Sequence, residues 1–435
     1  MAQSQVFPRH SIQARKQNPA IFSTSAVIDW LLCFVSILCL IFVTRFGTLG
    51  ALFFILPWIV IILTRPHLAF ESVLRNAWLL TIPIFCVIST FWSEFPMETL
   101  KAALEFLITV LIAIWAGSCV RPRIFISALF VASVIVVALS AAIGKTGVDG
   151  GTGEVVLLGL FDSKNQLAFH SVVLLMTSVT IVLDRYQLRI LRVLAIASAL
   201  GAPAALLAAK SAGSLVFSFP GVLALLLIRS ISTLPRLGRL VMFVLGFTLF
   251  LPTIMGASLF FDDYGAVLDA LGKDSSLTGR TYLWEKAVDF INARPLLGIG
   301  YQAFWRVGYP PAEDLWRINQ VESGAGFHFH NLYLNTGVEL GIVGILLLIV
   351  LLLGIAIRVI LAAIADPGLT QSFAAGIFVY FFMISSVEAF HLYPFYLGTV
   401  LLYMSWCYLK PGTPWRLEER QRERFRSKTS ARLPA

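Results

Sequence analysis

Charge is what this sequence has least of. Only 13% of its residues are Asp, Glu, Lys or Arg, while 58% are hydrophobic. A soluble domain carries roughly 25% charged residues, so a water-soluble globular chain is excluded. Cysteine is scarce too: the five, at 33, 39, 86, 119 and 407, lie in or beside apolar runs. They offer no disulfide framework and no C-x-x-C metal spacing. No internal repeat is evident, which weighs against a transporter built from inverted halves. The first apolar run is too long for a signal-peptide core and lacks a small-residue cleavage site, so it reads as an uncleaved helix.

What fills the chain is apolar runs of bilayer-crossing length. They lie near 26–44, 48–64, 77–92, 101–118, 124–143, 166–183, 192–209, 213–229, 239–259, 333–357, 371–388 and 393–409, each close to the ~17–25 residues a spanning helix needs. The expected fold is an all-α polytopic membrane protein with about twelve transmembrane helices and a large external loop between spans nine and ten. The expected organisation is a cytoplasmic N-terminal segment (1–25), spans one to nine (26–259), a large periplasmic loop (260–332), spans ten to twelve (333–409) and a basic cytoplasmic tail (410–435).

Basic residues give the orientation. Alternate connections carry Arg9, Arg15 and Lys16, then Arg65 and Arg75, Arg121 and Arg123, and Arg185, Arg189 and Arg192. The same set continues with Arg229, Arg236 and Arg239, Arg358, and the tail from Lys410. The opposite short loops hold only Arg45, Lys101, Lys145, Lys164 and Lys210. The positive-inside rule then puts both termini in the cytoplasm and the Leu277–Asn331 segment outside. The net charge of +9 follows from this topology and the tail. The tail mixes Arg with Glu418, Glu419 and Glu423; it reads as a solvated stop-transfer anchor near lipid headgroups, not a nucleic-acid site.

Against this background, Leu277 to Gly344 is polar, charged and aromatic and ends in His328-Phe329-His330-Asn331-Leu332-Tyr333-Leu334. So long an external segment is the expected seat of chemistry. Thr281 to Asn292 reads as an amphipathic helix stopped by Arg294-Pro295. Arg280, after Gly279 at that helix start, suits a phosphate or pyrophosphate; the alternative is a surface Arg neutralising Asp274 or Glu285. Two other external turns carry cations: Lys210 among small residues between spans seven and eight, and Lys164 with Asn165 at the start of span six. Each suits an anionic headgroup or simply snorkels to the interface.

His328-x-His330 with Asn331 offers a general base that is neutral at physiological pH. A metal shared with Glu322 or Glu339 is the alternative, but neither gives a convincing third ligand, and no metal is expected. Gly298-Ile299-Gly300-Tyr301-Gln302-Ala303 mimics a dinucleotide fingerprint without a preceding strand; a tight turn after Pro295 is expected instead. Asp29, Glu105, His170 and Glu388 fall near predicted span ends, where an interfacial position is expected. Glu388 and His391 share the face of His330.

The ordered motifs resemble those of the O-antigen ligase and polymerase family. They are Ser276-Leu277-Thr278-Gly279-Arg280-Thr281-Tyr282-Leu283-Trp284, Pro295-Leu296-Leu297-Gly298-Ile299-Gly300-Tyr301-Gln302-Ala303-Phe304, His330-Asn331-Leu332-Tyr333-Leu334 and Glu339-Leu340-Gly341-Ile342-Val343-Gly344. With Phe161-Asp162-Ser163-Lys164-Asn165 they are similar to its exopolysaccharide-polymerase (ExoQ-type) branch. The resemblance implies glycosyl transfer at the outer face from an undecaprenyl-pyrophosphate-linked glycan to an acceptor hydroxyl. It implies that Arg280 binds the pyrophosphate and His330 activates the acceptor. Many ligases of the family carry Arg where this chain has Lys210, which keeps the charge and loses the bidentate fork.

The expected protein is thus a bacterial inner-membrane glycosyltransferase that polymerises lipid-linked oligosaccharide repeats into a secreted exopolysaccharide. His330 and Arg280 are the catalytic candidates; Lys210, Lys164, Asn165, His328 and Asn331 are the substrate-binding ones. No cofactor is needed, because the donor arrives activated. The expected partners are that donor, membrane lipid, a flippase and a chain-length regulator, with no nucleic acid. A ligase acting on lipid A core differs only in acceptor. A solute transporter predicts buried helix charges and helices broken at mid-membrane.

Overall fold

Inside hydrocarbon every backbone N–H needs an acceptor within the chain, and a helix supplies one to each of its residues. The computed structural model describes residues 24–148, 153–245, 280–324, 327–389, 391–413 and 415, and the fold is all-α and polytopic. The first helices are α1 (Thr24–Ile41), α2 (Val43–Thr64), α3 (Pro66–Arg75), α4 (Thr81–Ile88), α5 (Pro96–Cys119) and α6 (Pro122–Ile143). A small antiparallel hairpin, β1 (Thr146–Val148) and β2 (Val155–Leu157), follows with Gly147 opposite Val156. Then come α7 (Lys164–Leu183), α8 (Arg189–Ala209), α9 (Ala212–Ser230) and a helical stretch at 236–245. The last helices are α10 (Arg280–Ala293), α11 (Pro310–Ile318), α12 (Leu332–Ala365), α13 (Leu369–Ile384) and α14 (Leu397–Leu409).

Among the described residues seven helices are long and apolar enough to cross a membrane, or eight if the bent pair 66–75 and 77–92 is one span. The helices α1, α13 and α14 are apolar but shorter. Most expected spans thus have a helix, with three differences. The third is not one helix: α3 precedes it at a 74° bend, and 3₁₀ turns flank α4 at Ala77–Leu80 and Ser89–Trp92. The eleventh stops at Ile384 and the twelfth begins at Leu397, so Glu388 sits in an irregular connection rather than in a helix. The ninth runs mostly outside the described residues, as do Asp274 and the motif from Ser276 to Gly279.

The arginine-rich connections gather at one end of the bundle. There Arg65 pairs with Asp29 at 2.6 Å and reaches the Cys119 carbonyl. At that end also, Arg123 pairs with Asp184 at 2.6 Å and Lys410 meets the Arg75 carbonyl at 2.6 Å. Asp29, His170 and Glu388 are 9%, 4% and 3% exposed, so all three are buried within the protein, while Glu105 is partly exposed. The buried carboxylates Asp29 and Glu388 each have an arginine on them, Arg65 and Arg280 respectively.

The polar segment packs as a cap with its own core. Leu283 and Ala287 of α10, Leu315 and Trp316 of α11, Phe304 and Phe329 are all buried together. The sequence Pro295 to Gly300 then docks backbone-first into a break in α12 at Gly341, whose φ is +64°. Ile342 N–H donates to Pro295 O at 2.8 Å, and Gly300 N–H to Glu339 O at 2.9 Å. A Cβ on Gly341 would overlap the Leu296 carbonyl, and one on Gly298 would lie 2.5 Å from the Glu339 carbonyl carbon. Those glycines therefore permit close backbone approach as well as the expected turn. Helices broken at Gly47 and Gly341 are what a transporter predicts, but here the second break is filled by the cap.

Candidate active site

The cap and three helix junctions converge at the end of the bundle opposite the arginine-rich one. Glu388, from the α13–α14 connection, is the hub. Its Oε1 accepts from Asn165 Nδ2 at 2.7 Å and from an Arg280 guanidinium nitrogen at 2.9 Å. Its Oε2 lies 3.4 Å from His330 Nδ1 and 3.6 Å from His328 Nε2. Arg280 also donates to the Val387 carbonyl at 2.7 Å. Arg280 therefore neutralises Glu388, not Glu285.

Local sequence explains each position. In His328-Phe329-His330 the alternating residues separate: Phe329 is fully buried among the cap aromatics and both histidines face Glu388. Trp284 Nε1 holds the Phe329 carbonyl at 2.9 Å. His330 adopts φ +49°, a left-handed conformation uncommon for non-glycine residues, which costs roughly 1–3 kcal/mol and clusters at functional sites. Asn331 caps α12, its Oδ1 accepting from Tyr333 N and Leu334 N at 3.0 Å each, while Nδ2 donates to the Ser386 carbonyl at 3.1 Å. Leu332 N–H donates to the Ser385 carbonyl at 2.9 Å. These bonds register the His330 turn against Glu388.

The two lysines arrive beside partners of the hub. Ser163 caps α7 by accepting from Asn165 N–H at 3.2 Å, which sets Lys164 and Asn165 on its first turn. Lys210 is the left-handed cap of α8 at φ +48° and pairs with Glu154 at 3.3 Å. The next residue, Ser211, donates from its hydroxyl to Asn165 Oδ1 at 3.0 Å. The chain Ser211–Asn165–Glu388–Arg280 thus joins the cap to all three junctions. Sequence reading named Lys210 and missed Ser211, which carried no signal beyond its neighbour. His391 is fully buried against Phe381 and Ser385.

The surroundings set the charge states. Burial would raise the Glu388 carboxyl, but His330, Arg280 and His328 outweigh it and hold the group below the ordinary carboxylate range. Burial, with His330 and Arg280 adding to it against Glu388, lowers His328 to about 3, so that ring is neutral at physiological pH.

His328, His330 and Glu388 have the residue types of a metal site, with ligand atoms within 4.8 Å of one another. The carboxylate is neither Glu322 nor Glu339. The donor set fits a metal poorly: Arg280 shares the carboxylate, and His328 Nδ1 accepts the His330 N–H at 3.0 Å. Neutral His328 then carries its proton on Nε2, the nitrogen a metal would need. The arrangement instead presents a cation and an imidazole side by side, which suits transfer from an anionic leaving group to a hydroxyl.

Residues 194–349 match the family described as O-antigen ligase, a stretch that holds Lys210, Arg280, His328 and His330. Over 365 residues the chain is 30% identical to the exopolysaccharide production protein ExoQ of Rhizobium meliloti (strain 1021), covering 83% of each. The chain belongs to the O-antigen ligase and polymerase family, in its ExoQ-type branch, and is a membrane enzyme of the glycosyl-transferring kind.

Proposed function

We propose that the protein polymerises undecaprenyl-pyrophosphate-linked oligosaccharide repeats into a secreted exopolysaccharide. The observation that carries this reading is the meeting of Arg280 and His330 on Glu388. Two of the five guanidinium N–H groups of Arg280 are used on Val387 and Glu388, which leaves donors for a phosphate oxygen. Lys210 and Lys164 add positive charge at adjoining turns. His330 takes the proton of the acceptor hydroxyl, whose oxygen attacks the anomeric carbon of the donor. The bond to pyrophosphate breaks, and the leaving lipid pyrophosphate is stabilised by the cations. Attack opposite the leaving group inverts that carbon.

The alternation of basic connections supports both termini in the cytoplasm of a bacterial inner membrane and the cap on the periplasmic side. No nucleotide sugar is available there, so a lipid-activated donor fits the location. A flippase would deliver the donor and a chain-length regulator would act on the product. Similarity to an exopolysaccharide production protein favours polymerisation, whereas the family description as a ligase keeps transfer to lipid A core as the second reading. In cells, Arg280→Ala and His330→Ala should each remove secreted polymer while the protein stays in the membrane; polymer made normally by both variants contradicts the reading.

A further inference from the structure

Glu388 presents different faces to different neighbours. Asn165 and Arg280 both hold Oε1, and Ser211 holds Asn165 in turn. These contacts fix the carboxylate plane and leave Oε2 directed at the two imidazoles. In neutral His328, Nδ1 accepts the His330 N–H and the Nε2 proton points at Glu388. Neither nitrogen then has a lone pair for a substrate hydroxyl. His330 is the reverse case. Its Nδ1 lies 3.4–3.5 Å from both carboxylate oxygens, and a carboxylate only accepts. The proton of the neutral ring belongs on Nδ1, and the Nε2 lone pair is left for the acceptor.

We infer that Glu388 is a positioning residue for the reaction: it fixes His330 in the Nδ1–H tautomer and makes His330, not His328, the base. The inference rests on the glycosyl-transfer reading above. When Nε2 takes the acceptor proton, the imidazolium that forms is stabilised by the Glu388 carboxylate. The acceptor oxygen bonds to the donor carbon as lipid pyrophosphate departs with its electron pair. The charged and titratable groups that meet around His330 are Glu388 from the α13–α14 connection, His328 from its own segment and, through Glu388, Arg280 of α10. Phe327 covers the ring at 5.6 Å.

Glu388→Gln tests this in the purified full-length protein supplied with an undecaprenyl-pyrophosphate repeat unit. The amide NH₂ facing Nδ1 would drive the ring proton to Nε2. Turnover should fall about 100- to 10,000-fold, the usual worth of a general base, with little change in donor KM, and Glu388→Asp should recover part of it. Unchanged turnover in Glu388→Gln overturns the inference. So does a loss confined to donor KM, which would assign Glu388 to Arg280 alone. A second measurement needs neither folding of a variant nor activity: ¹⁵N-histidine NMR of the native protein in detergent should find Nδ1–H at His330 and Nε2–H at His328. The opposite tautomer at His330 overturns the inference. Normal turnover by His330→Ala would instead bring down the reading beneath it, leaving the tautomers as measured.

Discussion

Arg280 and Glu388 stand 108 residues apart in sequence and 2.9 Å apart in space. That pair latches the cap helix α10 to the connection between α13 and α14. It also brings the candidate pyrophosphate ligand within one carboxylate of the candidate base. The contact that holds the cap is therefore also part of the site.

Removing the cation alone leaves a buried carboxylate uncompensated. Arg280→Ala should lower stability by about 1–3 kcal/mol, since such groups are costly when orphaned. Arg280→Ala with Glu388→Gln should regain part of that loss without regaining polymer. Thermal unfolding in detergent beside a polymer assay separates the two effects; equal stability of the single and double variants contradicts the pairing.

The docking of Pro295–Gly300 into the break of α12 rests on absent side chains. Gly341→Ala and Gly298→Ala should each destabilise by more than ~2 kcal/mol, combining overlap with a left-handed backbone. Gly201→Ala, in α8 with open space around it, should be neutral or slightly stabilising because alanine favours the helix. Unfolding midpoints of the three variants check this.

Much of this was legible in the sequence, for physical reasons. Apolar run length marks spans because bilayer thickness is fixed, and the break between Arg294 and Pro295 marks the end of α10 because proline cannot continue a helix. Lys210 and Lys164 stood out as cations in short turns between apolar runs, and Arg280 and His330 by their place in the long polar segment. Glu388 stood out too, but its role was not legible. Nothing local says that the helix stops at Ile384, and the partners of Glu388 are set by tertiary packing. The α12 break was likewise hidden, since Gly341 lies inside an otherwise apolar run.

Acid should loosen the site end first. His328 and His391 are each lowered by burial to about 3 from an ordinary 6.5. Below 6.5 the unfolded chain binds protons that the folded one does not, so stability falls steadily as pH drops from 6.5 toward 3. Glu388, depressed in the fold, adds stability that disappears only at still lower pH as it titrates. The unfolding midpoint should be flat from pH 8 to 7 and decline by pH 5; His391→Asn should reduce that slope if it folds, and an unchanged midpoint at pH 5 contradicts the burial argument.

Lys210 and Glu154 are both largely exposed, so their pair should contribute under ~1 kcal/mol. Lys210→Ala should leave the unfolding midpoint nearly unchanged yet weaken use of the lipid-linked donor several-fold, and Lys210→Arg should preserve it. Donor KM in the purified protein reads this directly. A large midpoint loss with unaltered KM would make Lys210 structural.

The most direct measurement is reconstitution. Purified protein in lipid vesicles is given an undecaprenyl-pyrophosphate repeat unit, alone and with lipid A core, and its products are sized over time. The account predicts a ladder of lengthening glycans from the repeat unit alone, absent with Arg280→Ala or His330→Ala. Single transfers to lipid A core with no ladder, or no elongation under any condition, would contradict it.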